Sequence, residues 1–319
     1  MKKIMMNLTE NCTVKEVYEK FIISRKAINV SKETVSYYGY CFQFFNEFVG
    51  EDYLACEVNS EIINEYVNHL LQKETICETT VNTYLRGIRA ILNYGMKEGY
   101  VKQFQIKLLK VEKKVKPTYS DNELLLLLKK PDTKKCEFSE YRNWVIVNFL
   151  LGTGARLATV VETQIGDIDF GNTMLTIRNM KNRKQQLIPI SRELIKILGE
   201  YLEFRQGKKE DYLFCNPYGM KVPKDGLKKS IASYNRKRGV PITSIHVFRH
   251  TFAKKWILNG GDVFKLQKIL GHSSLDITRE YVNMFSADLQ LNFESFNPLD
   301  RFIQENRKGG TKISMRQED

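Results

Sequence analysis

Apolar residues recur at helical spacing through the first hundred positions, and this periodicity constrains the fold more than any other feature of the chain. The predicted amphipathic helices cover residues 14–24, 34–49, 60–71 and 79–98. Ser31 and Ser60 are the expected N-caps, and Gly99 follows the last of these helices as a C-terminal stop. We therefore predict a small all-helical domain over residues 8–109.

A basic stretch that ends near Pro117 separates this helical region from the rest of the chain. Proline disfavours helix at the residue before it, so residues 110–119 are predicted to be a linker. A second domain is expected over residues 120–302, and the polar stretch 303–319 is predicted to be disordered. A chain of 319 residues is long enough for two domains with cores of their own.

The second domain mixes helical and strand patterns. Ser120 and Glu123 form a capping-box pattern ahead of an apolar run. Two short β-type runs, residues 174–177 and 186–190, flank a polar turn, which predicts a hairpin with Lys181 at its tip. Further helices are predicted over residues 144–151, 225–238, 262–270 and 275–284, and another between Ser244 and Gly260. The fold class is therefore mainly α with a small β-sheet.

Positive charge is concentrated in two stretches of the sequence. The net charge is +13, yet residues 1–100 hold 11 lysines and arginines against 13 acidic residues. Residues 102–116 carry six lysines and one acid, and residues 205–238 carry ten basic residues and three acids. Clustered positive charge is typical of a protein that binds a polyanion, with nucleic acid first and an acidic membrane surface second. For any single lysine run, a solvated surface is the alternative.

Composition argues against several other classes of protein. The sequence has no run of about 18 apolar residues, so no transmembrane helix and no membrane partner are predicted. Its first residues lack the long apolar segment and cleavage site of a signal peptide, so a cytoplasmic location is expected. The six cysteines are scattered without a CxxC pair, which indicates reduced thiols rather than a disulfide framework.

Six polar residues of the second domain point to a specific chemistry: Arg156, Lys181, His246, Arg249, His272 and Tyr281. A tyrosine can attack a phosphodiester and hold the phosphoryl group covalently. The cationic side chains can stabilise the charge that develops on phosphorus, and the imidazoles can carry protons. A phenol of pKa about 10 is ionised in about one molecule in a thousand at pH 7, a deficit of roughly 4 kcal/mol, so a general base is required. Neither a metal-ligand cluster nor a glycine-rich phosphate loop accompanies the set, so no metal and no cofactor are expected.

In their local context these residues resemble the tyrosine recombinase (phage integrase) family, of the Xer or mobile-element integrase type. The likeness rests on Gly152-Thr153-Gly154-Ala155-Arg156, Lys181 in a hairpin, His246-x-x-Arg249-His250, Leu270-Gly271-His272 and Tyr281. It implies a two-domain DNA clamp, in which a helical core-binding domain joins a tyrosine-recombinase catalytic domain. It also implies double-stranded DNA with paired recombination sites as partner, a tetramer on DNA, and exchange through a Holliday junction. An accessory DNA-bending or directionality factor and an association with the nucleoid are further expectations.

The resemblance assigns a role to most of the six residues. Tyr281 is expected to attack the scissile phosphorus, which leaves a 3′-phosphotyrosine and a free 5′-hydroxyl. His246 is the better candidate for the general base that this attack needs. Arg156 and Arg249 are expected to fork onto the non-bridging oxygens, and Lys181 is expected to protonate the leaving 5′-oxygen.

Two positions complete this expectation. His272 is expected to donate a hydrogen bond to the phosphoryl group. The family usually has an acidic residue three positions after the first arginine, whereas this chain has Thr159 there. That departure leaves open which groups orient the neighbouring side chains.

Seven basic residues outside the catalytic set are expected to contact DNA: Arg86, Arg89, Lys113, Lys114, Lys116, Lys228 and Lys229. Arg86 and Arg89 lie three apart on a predicted helix, so both can face one phosphate backbone. Ordinary surface charge explains that pair equally well.

Several alternatives stay open at this stage. His246 and His250 have the spacing of helical zinc ligands, although the glutamate that a zincin needs is absent. Residues 266–282 could form a helix-turn-helix DNA reader. A strand-nicking topoisomerase and a non-catalytic DNA-binding protein with the same fold are the functional alternatives. The apolar series at residues 289–302 can either pack on its own domain or reach into a neighbouring protomer.

Overall fold

Two compact units make up the chain, Met1–Lys114 and Val115–Asp319. The computed structural model describes residues 12–112, 116–178 and 185–272, together with residues 274, 275, 278 and 279. The predicted limits at residues 8 and 302, and the predicted tail 303–319, lie outside the described residues.

The N-terminal unit is helical, as the periodicity predicts. Its helices are α1 (Val14–Ala27), α2 (Lys32–Val49), α3 (Ser60–Leu71) and α4 (Glu78–Glu98), with a 3₁₀ turn at Ala55–Glu57. The longest helix, α4, buries Val81, Leu85, Ile88 and Leu92 along one side. Burial of that stripe against α1 and α2 forms the core of the unit.

The helix ends confirm two of the three predicted signals. The Ser31 hydroxyl accepts from the Thr34 N–H and caps α2, and Gly99 ends α4 with a left-handed φ of 82°. The prediction of Ser60 as a cap is wrong, because Asn59 accepts from the N–H groups of residues 61 and 62. A carboxamide oxygen one position earlier reaches those donors, and Ser60 becomes the first helical residue.

A buried asparagine ties the irregular segment after α4 back onto that helix. Asn82 is 5% exposed. Its Nδ2 donates to the Leu109 carbonyl at 2.9 Å, and its Oδ1 accepts from the Leu109 N–H at 2.8 Å. A single side chain thus satisfies both backbone polar groups of one residue outside any helix or strand.

The C-terminal unit combines helices with a small sheet. Its helices are α5 (Asp121–Leu128), α6 (Phe138–Thr153), α7 (Leu157–Glu162), α8 (Arg192–Arg205), α9 (Lys224–Lys237), α10 (Ile245–Leu258) and α11 (Val263–Leu270). The strands are β1 (Ile168–Asp169), β2 (Met174–Ile177) and β3 (Gln186–Pro189), antiparallel in the order β1-β2-β3. The predicted hairpin is present, with Met174 opposite Pro189 and Ile177 opposite Gln186.

Helix α6 lies at the centre of this unit and is buried on nearly every side. It packs against α5, α8, α9 and α10. Its Arg142 donates to the Cys215 carbonyl at 2.8 Å and to the Ser230 hydroxyl at 3.1 Å, and Asn143 donates to the same hydroxyl. This buried polar network ties α6 to α9.

Other local predictions have mixed outcomes. The Ser120–Glu123 capping box is present. Ser244 precedes α10, but its side chain makes no capping hydrogen bond. Helices α7 and α8 and strand β1 were not predicted, and the predicted helix 275–284 falls mostly outside the described residues. Within the part of the chain that the structure describes, no helix is long and apolar enough to cross a membrane.

Candidate active site

The end of α6 brings Arg156 to the site. Gly154 follows the helix with a left-handed φ of 62°. A side chain there would place its Cβ 2.6 Å from the Phe252 ring and 2.7 Å from the Leu270 side chain, so the position accommodates glycine alone. Arg156 then becomes the N-terminal flanking residue of α7, half-buried beside the end of α11.

The end of α11 supplies an acceptor that two arginines share. Gly271 stops the helix with a left-handed φ of 61°. The Leu270 carbonyl, in the last turn, has no acceptor role within its own helix and lies at the negative end of the helix dipole. It accepts from an Arg249 guanidinium nitrogen at 2.8 Å and from an Arg156 guanidinium nitrogen at 3.3 Å.

Arg249 projects from α10 and contacts three groups of the site. It is 6% exposed. Besides Leu270, it donates to the Gly154 carbonyl at 2.8 Å and lies 2.8 Å from Nε2 of His272. The structure therefore brings together Arg156, Arg249 and His272, three of the six predicted catalytic residues.

Two positive charges are close together here. Since both guanidiniums bond to one oxygen, the bonded nitrogens lie within about 6 Å of each other. Unit charges about 6 Å apart repel by about 3 kcal/mol at an effective dielectric constant of about 20. Helix-end carbonyls accept from both guanidiniums and reduce this repulsion. An anion between the two guanidiniums would reduce it further, so the site is suited to a phosphate.

His272 is held at both ring nitrogens. Its Nε2 faces Arg249, and its Nδ1 lies 2.9 Å from the hydroxyl of Thr278. Thr278 is fully buried. The backbone N–H of His272 also donates to the Gln267 carbonyl at 3.1 Å, which fixes the ring next to the end of α11.

His246 lies at the start of α10, within the field of the same arginines. Although its side chain remains accessible to solvent, the surrounding protein removes part of its hydration, which lowers its pKa. The positive charges of Arg249, Lys228 and Arg156 lower that pKa further. The imidazole is therefore neutral at pH 7, the form that a general base requires.

Thr159 occupies the position where the family usually has an acidic residue, half-buried on α7. The acids next to it on the chain are engaged elsewhere: Glu162 holds Lys221 at 2.7 Å, and Asp167 pairs with Arg178 at the end of β2. Helix-end carbonyls help to orient the site, since Gly154 and Leu270 accept from the guanidiniums.

The sequence profile of the phage integrase family matches residues 118–287, and that of the phage integrase SAM-like domain matches residues 13–115. The chain belongs to the phage integrase family.

Similar proteins agree with this membership. Tyrosine recombinase XerC of Leptospira interrogans serogroup Icterohaemorrhagiae serovar copenhageni is 26% identical over 294 residues, which cover 90% of this chain and 94% of the relative. Tyrosine recombinase XerD of Staphylococcus epidermidis is 24% identical over 297 residues, with 90% and 99% covered. The Tn1549 transposon integrase, solved with transposon right-end DNA, has the same fold at 18% identity, with a TM-score of 0.70 over 88% of this chain and 99% of that one. The predictions of the family, the fold class and a tyrosine-type site-specific recombinase are confirmed.

The remaining predicted residues of this phage integrase family member are distributed as follows. Lys181, Tyr281, Lys113 and Lys114 lie outside the described residues. On α4, Arg86 is exposed and Arg89 half-buried, and Lys116 is half-buried in the segment before α5. Lys228 and Lys229 are exposed on α9, with Lys228 paired to Asp225 at 3.1 Å. Their contacts with DNA stay predictions.

Sequence reasoning missed four contributors to the site. The carbonyls of Gly154 and Leu270 and the hydroxyl of Thr278 were not singled out, and Lys228 was assigned to DNA rather than to the surroundings of His246. Glycines 154 and 271, each directly after a helix, were the available signal for the two carbonyls. Among the described residues, no group of three histidines, cysteines or acids could hold a metal ion.

Proposed function

We propose that this chain is a site-specific DNA recombinase that cuts and rejoins strands through a 3′-phosphotyrosine at Tyr281 and a Holliday junction. One observation carries the proposal: Arg156 and Arg249 converge on a single carbonyl oxygen, next to His272. Guanidiniums placed this close are arranged to bind one tetrahedral anion. A scissile phosphate is the anion that a family member with this site would take.

The proposed reaction uses the charge arrangement around His246. A neutral imidazole accepts the Tyr281 proton as the phenol attacks phosphorus. Arg156 and Arg249 stabilise the negative charge that grows on the non-bridging oxygens. Lys181 protonates the departing 5′-oxygen. The phosphodiester energy is retained in the phosphotyrosine bond, so a strand with a free 5′-hydroxyl can reverse the attack and restore the duplex.

The proposed partner is double-stranded DNA with paired recombination sites. Relatives in this family have been solved bound to DNA, including the Tn1549 transposon integrase. We further propose that four copies assemble on two sites and that an accessory DNA-bending or directionality factor sets the outcome. Such a protein would act at the nucleoid.

The test is capture of a covalent adduct between the protein and DNA. The probe is a duplex from the DNA that flanks the gene, nicked close to the expected cut so that a short strand diffuses away and rejoining fails. Wild-type protein should yield an adduct that survives denaturation, and Tyr281→Phe should yield none while retaining duplex affinity. Tyr218→Phe is the matched control, because Tyr218 is 88% exposed in the same unit.

Three outcomes would contradict the proposal. An adduct in the Tyr281→Phe protein would place the nucleophile elsewhere. Absence of any adduct with wild-type protein across the flanking DNA would favour a non-catalytic DNA-binding protein. Relaxation of a supercoiled plasmid without recombination between two sites would favour a topoisomerase.

A further inference from the structure

The hydrogen bonds around His272 determine which of its ring nitrogens carries the proton. An arginine guanidinium has donors only. The Arg249 nitrogen 2.8 Å from Nε2 must therefore donate, and Nε2 must carry no hydrogen. A neutral imidazole then has its proton on Nδ1, where the Thr278 hydroxyl lies 2.9 Å away and accepts it.

This protonation state differs from the one that the reaction needs. For His272 to donate a hydrogen bond to the phosphoryl group, the nitrogen that faces the arginine must carry a proton. In the DNA-free protein that nitrogen is an acceptor for Arg249 instead. Binding of a phosphate would therefore have to draw the guanidinium away and change the protonated nitrogen.

Thr278 is suited to support both states. A hydroxyl accepts with its oxygen lone pairs or donates its own proton, and it rotates to do either. Thr278 is fully buried, so its hydroxyl relies on protein partners rather than on bulk water. After the change, Nδ1 carries no proton and can accept from the same hydroxyl without movement of the ring.

We propose that Thr278 is a positioning residue: its hydroxyl accepts from the Nδ1–H of His272 in the free protein, where Arg249 keeps Nε2 bare, and, by reversing its hydrogen bond, donates to Nδ1 when Nε2 carries the proton on DNA. The imidazole is neutral in both states: one proton leaves Nδ1 for solvent, and one is taken up at Nε2. The DNA-bound half of this proposal rests on the proposed function, whereas the free-protein half does not.

The free-protein state can be measured by nitrogen NMR of the full chain labelled with ¹⁵N-histidine. The sequence has only four histidines, and the signals lost in His272→Gln identify the ring in question. At about pH 8, above the ordinary histidine pKa of about 6.5, neutral rings dominate. Wild-type protein should show a protonated Nδ1 and a bare Nε2 at His272.

Two substitutions separate the hydroxyl from the rest of the side chain. Thr278→Val keeps the shape but removes the hydroxyl. Arg249 still donates to Nε2, so the proton should stay on Nδ1, but without its acceptor it should exchange with water about fivefold faster. Thr278→Ser keeps the hydroxyl and should restore the wild-type exchange rate. Thr278→Ala repeats the test should the valine protein fail to fold. A wild-type ring protonated on Nε2, or equal Nδ1–H exchange rates in the wild-type and valine proteins, would overturn the proposal.

The DNA-bound state is tested with the nicked duplex described above. Thr278→Val should form adduct about tenfold more slowly, since one hydrogen bond to the imidazole is lost. Thr278→Ser should stay within about twofold of wild type, and duplex affinity should be unchanged in both. Equal adduct rates in the valine and wild-type proteins would overturn the DNA-bound half. If wild-type protein forms no adduct, the proposed function fails, and the NMR result still decides the free-protein half.

Discussion

Arg249→Ala should remove activity at a surprisingly small cost in stability, although the side chain is 6% exposed. The substitution leaves the Gly154 carbonyl and Nε2 of His272 without this donor, while the Leu270 carbonyl keeps Arg156 at 3.3 Å. Loss of these two hydrogen bonds, one to a buried carbonyl and one to a half-buried ring nitrogen, costs at most about 2–6 kcal/mol in total. Loss of the repulsion between the two guanidiniums stabilises the fold by about 3 kcal/mol and offsets part of this cost. The net destabilisation should therefore be below about 3 kcal/mol.

A matched core substitution sets the scale for this prediction. Phe248 is the preceding residue on α10 and is fully buried. Phe248→Ala should cost about 3–5 kcal/mol, because it leaves a cavity and relieves no charge repulsion. For the cleavage rate, Arg249→Ala should be the damaging substitution. It should slow adduct formation by about 10²–10³-fold, the usual loss for a transition-state donor.

The assay follows unfolding of the C-terminal unit alone. Both tryptophans of the chain, Trp144 and Trp256, lie in that unit, so their fluorescence reports its thermal transition. Each 1 kcal/mol should move the midpoint by roughly 2–4 °C. If Arg249→Ala lowers the midpoint more than Phe248→Ala does, the two guanidiniums do not repel appreciably. The account of the site as prepared for an anion is then wrong.

Two further predictions use matched pairs of neighbouring residues. With His246 as the proposed base, cleavage should be lost as pH falls through its pKa, which desolvation and the nearby positive charges lower. Lys228→Gln should raise that pKa and move the acid limb of the pH–rate profile for cleavage to higher pH. Lys229→Gln is the control and should leave the acid limb in place. Equal shifts in the two variants would contradict the assignment of His246 as the base. Asn82→Ala should speed hydrogen exchange of the Leu109 amide about fivefold, given a typical hydrogen bond of about 1 kcal/mol. Exposed Asn93, on the same helix, is the control, and an unchanged Leu109 rate in Asn82→Ala would refute the prediction.

The helices of the N-terminal unit were predictable because their signals are local. Apolar residues three and four apart mark the buried side of α4, and Gly99 marks its end. The errors occurred where neighbouring residues compete for one role, as at Asn59 and Ser60. Helix α7 escaped prediction because it has six residues, among them β-branched Val160 and Val161, too few for a periodic pattern.

The identities of the candidate catalytic residues were also available from the sequence. Arg156, Arg249 and His272 each stand in a short context typical of the family, and the family itself is confirmed. These short contexts do not show how close the three residues lie in the folded protein. Arg249 and the Gly154 carbonyl lie 95 positions apart along the chain, and Arg156 and the Leu270 carbonyl lie 114 apart.

The sequence by itself therefore determined the residue types of the candidate site and two of the helices that position them, α10 and α11. Tertiary structure alone decided that backbone carbonyls of distant residues contact the guanidiniums. Every residue has the same carbonyl, so no sequence pattern distinguishes one that will accept from a distant arginine. Gly154 and Gly271, both with a left-handed φ, end α6 and α11. The packing of these two helix ends directs the carbonyls of Gly154 and Leu270 towards the site.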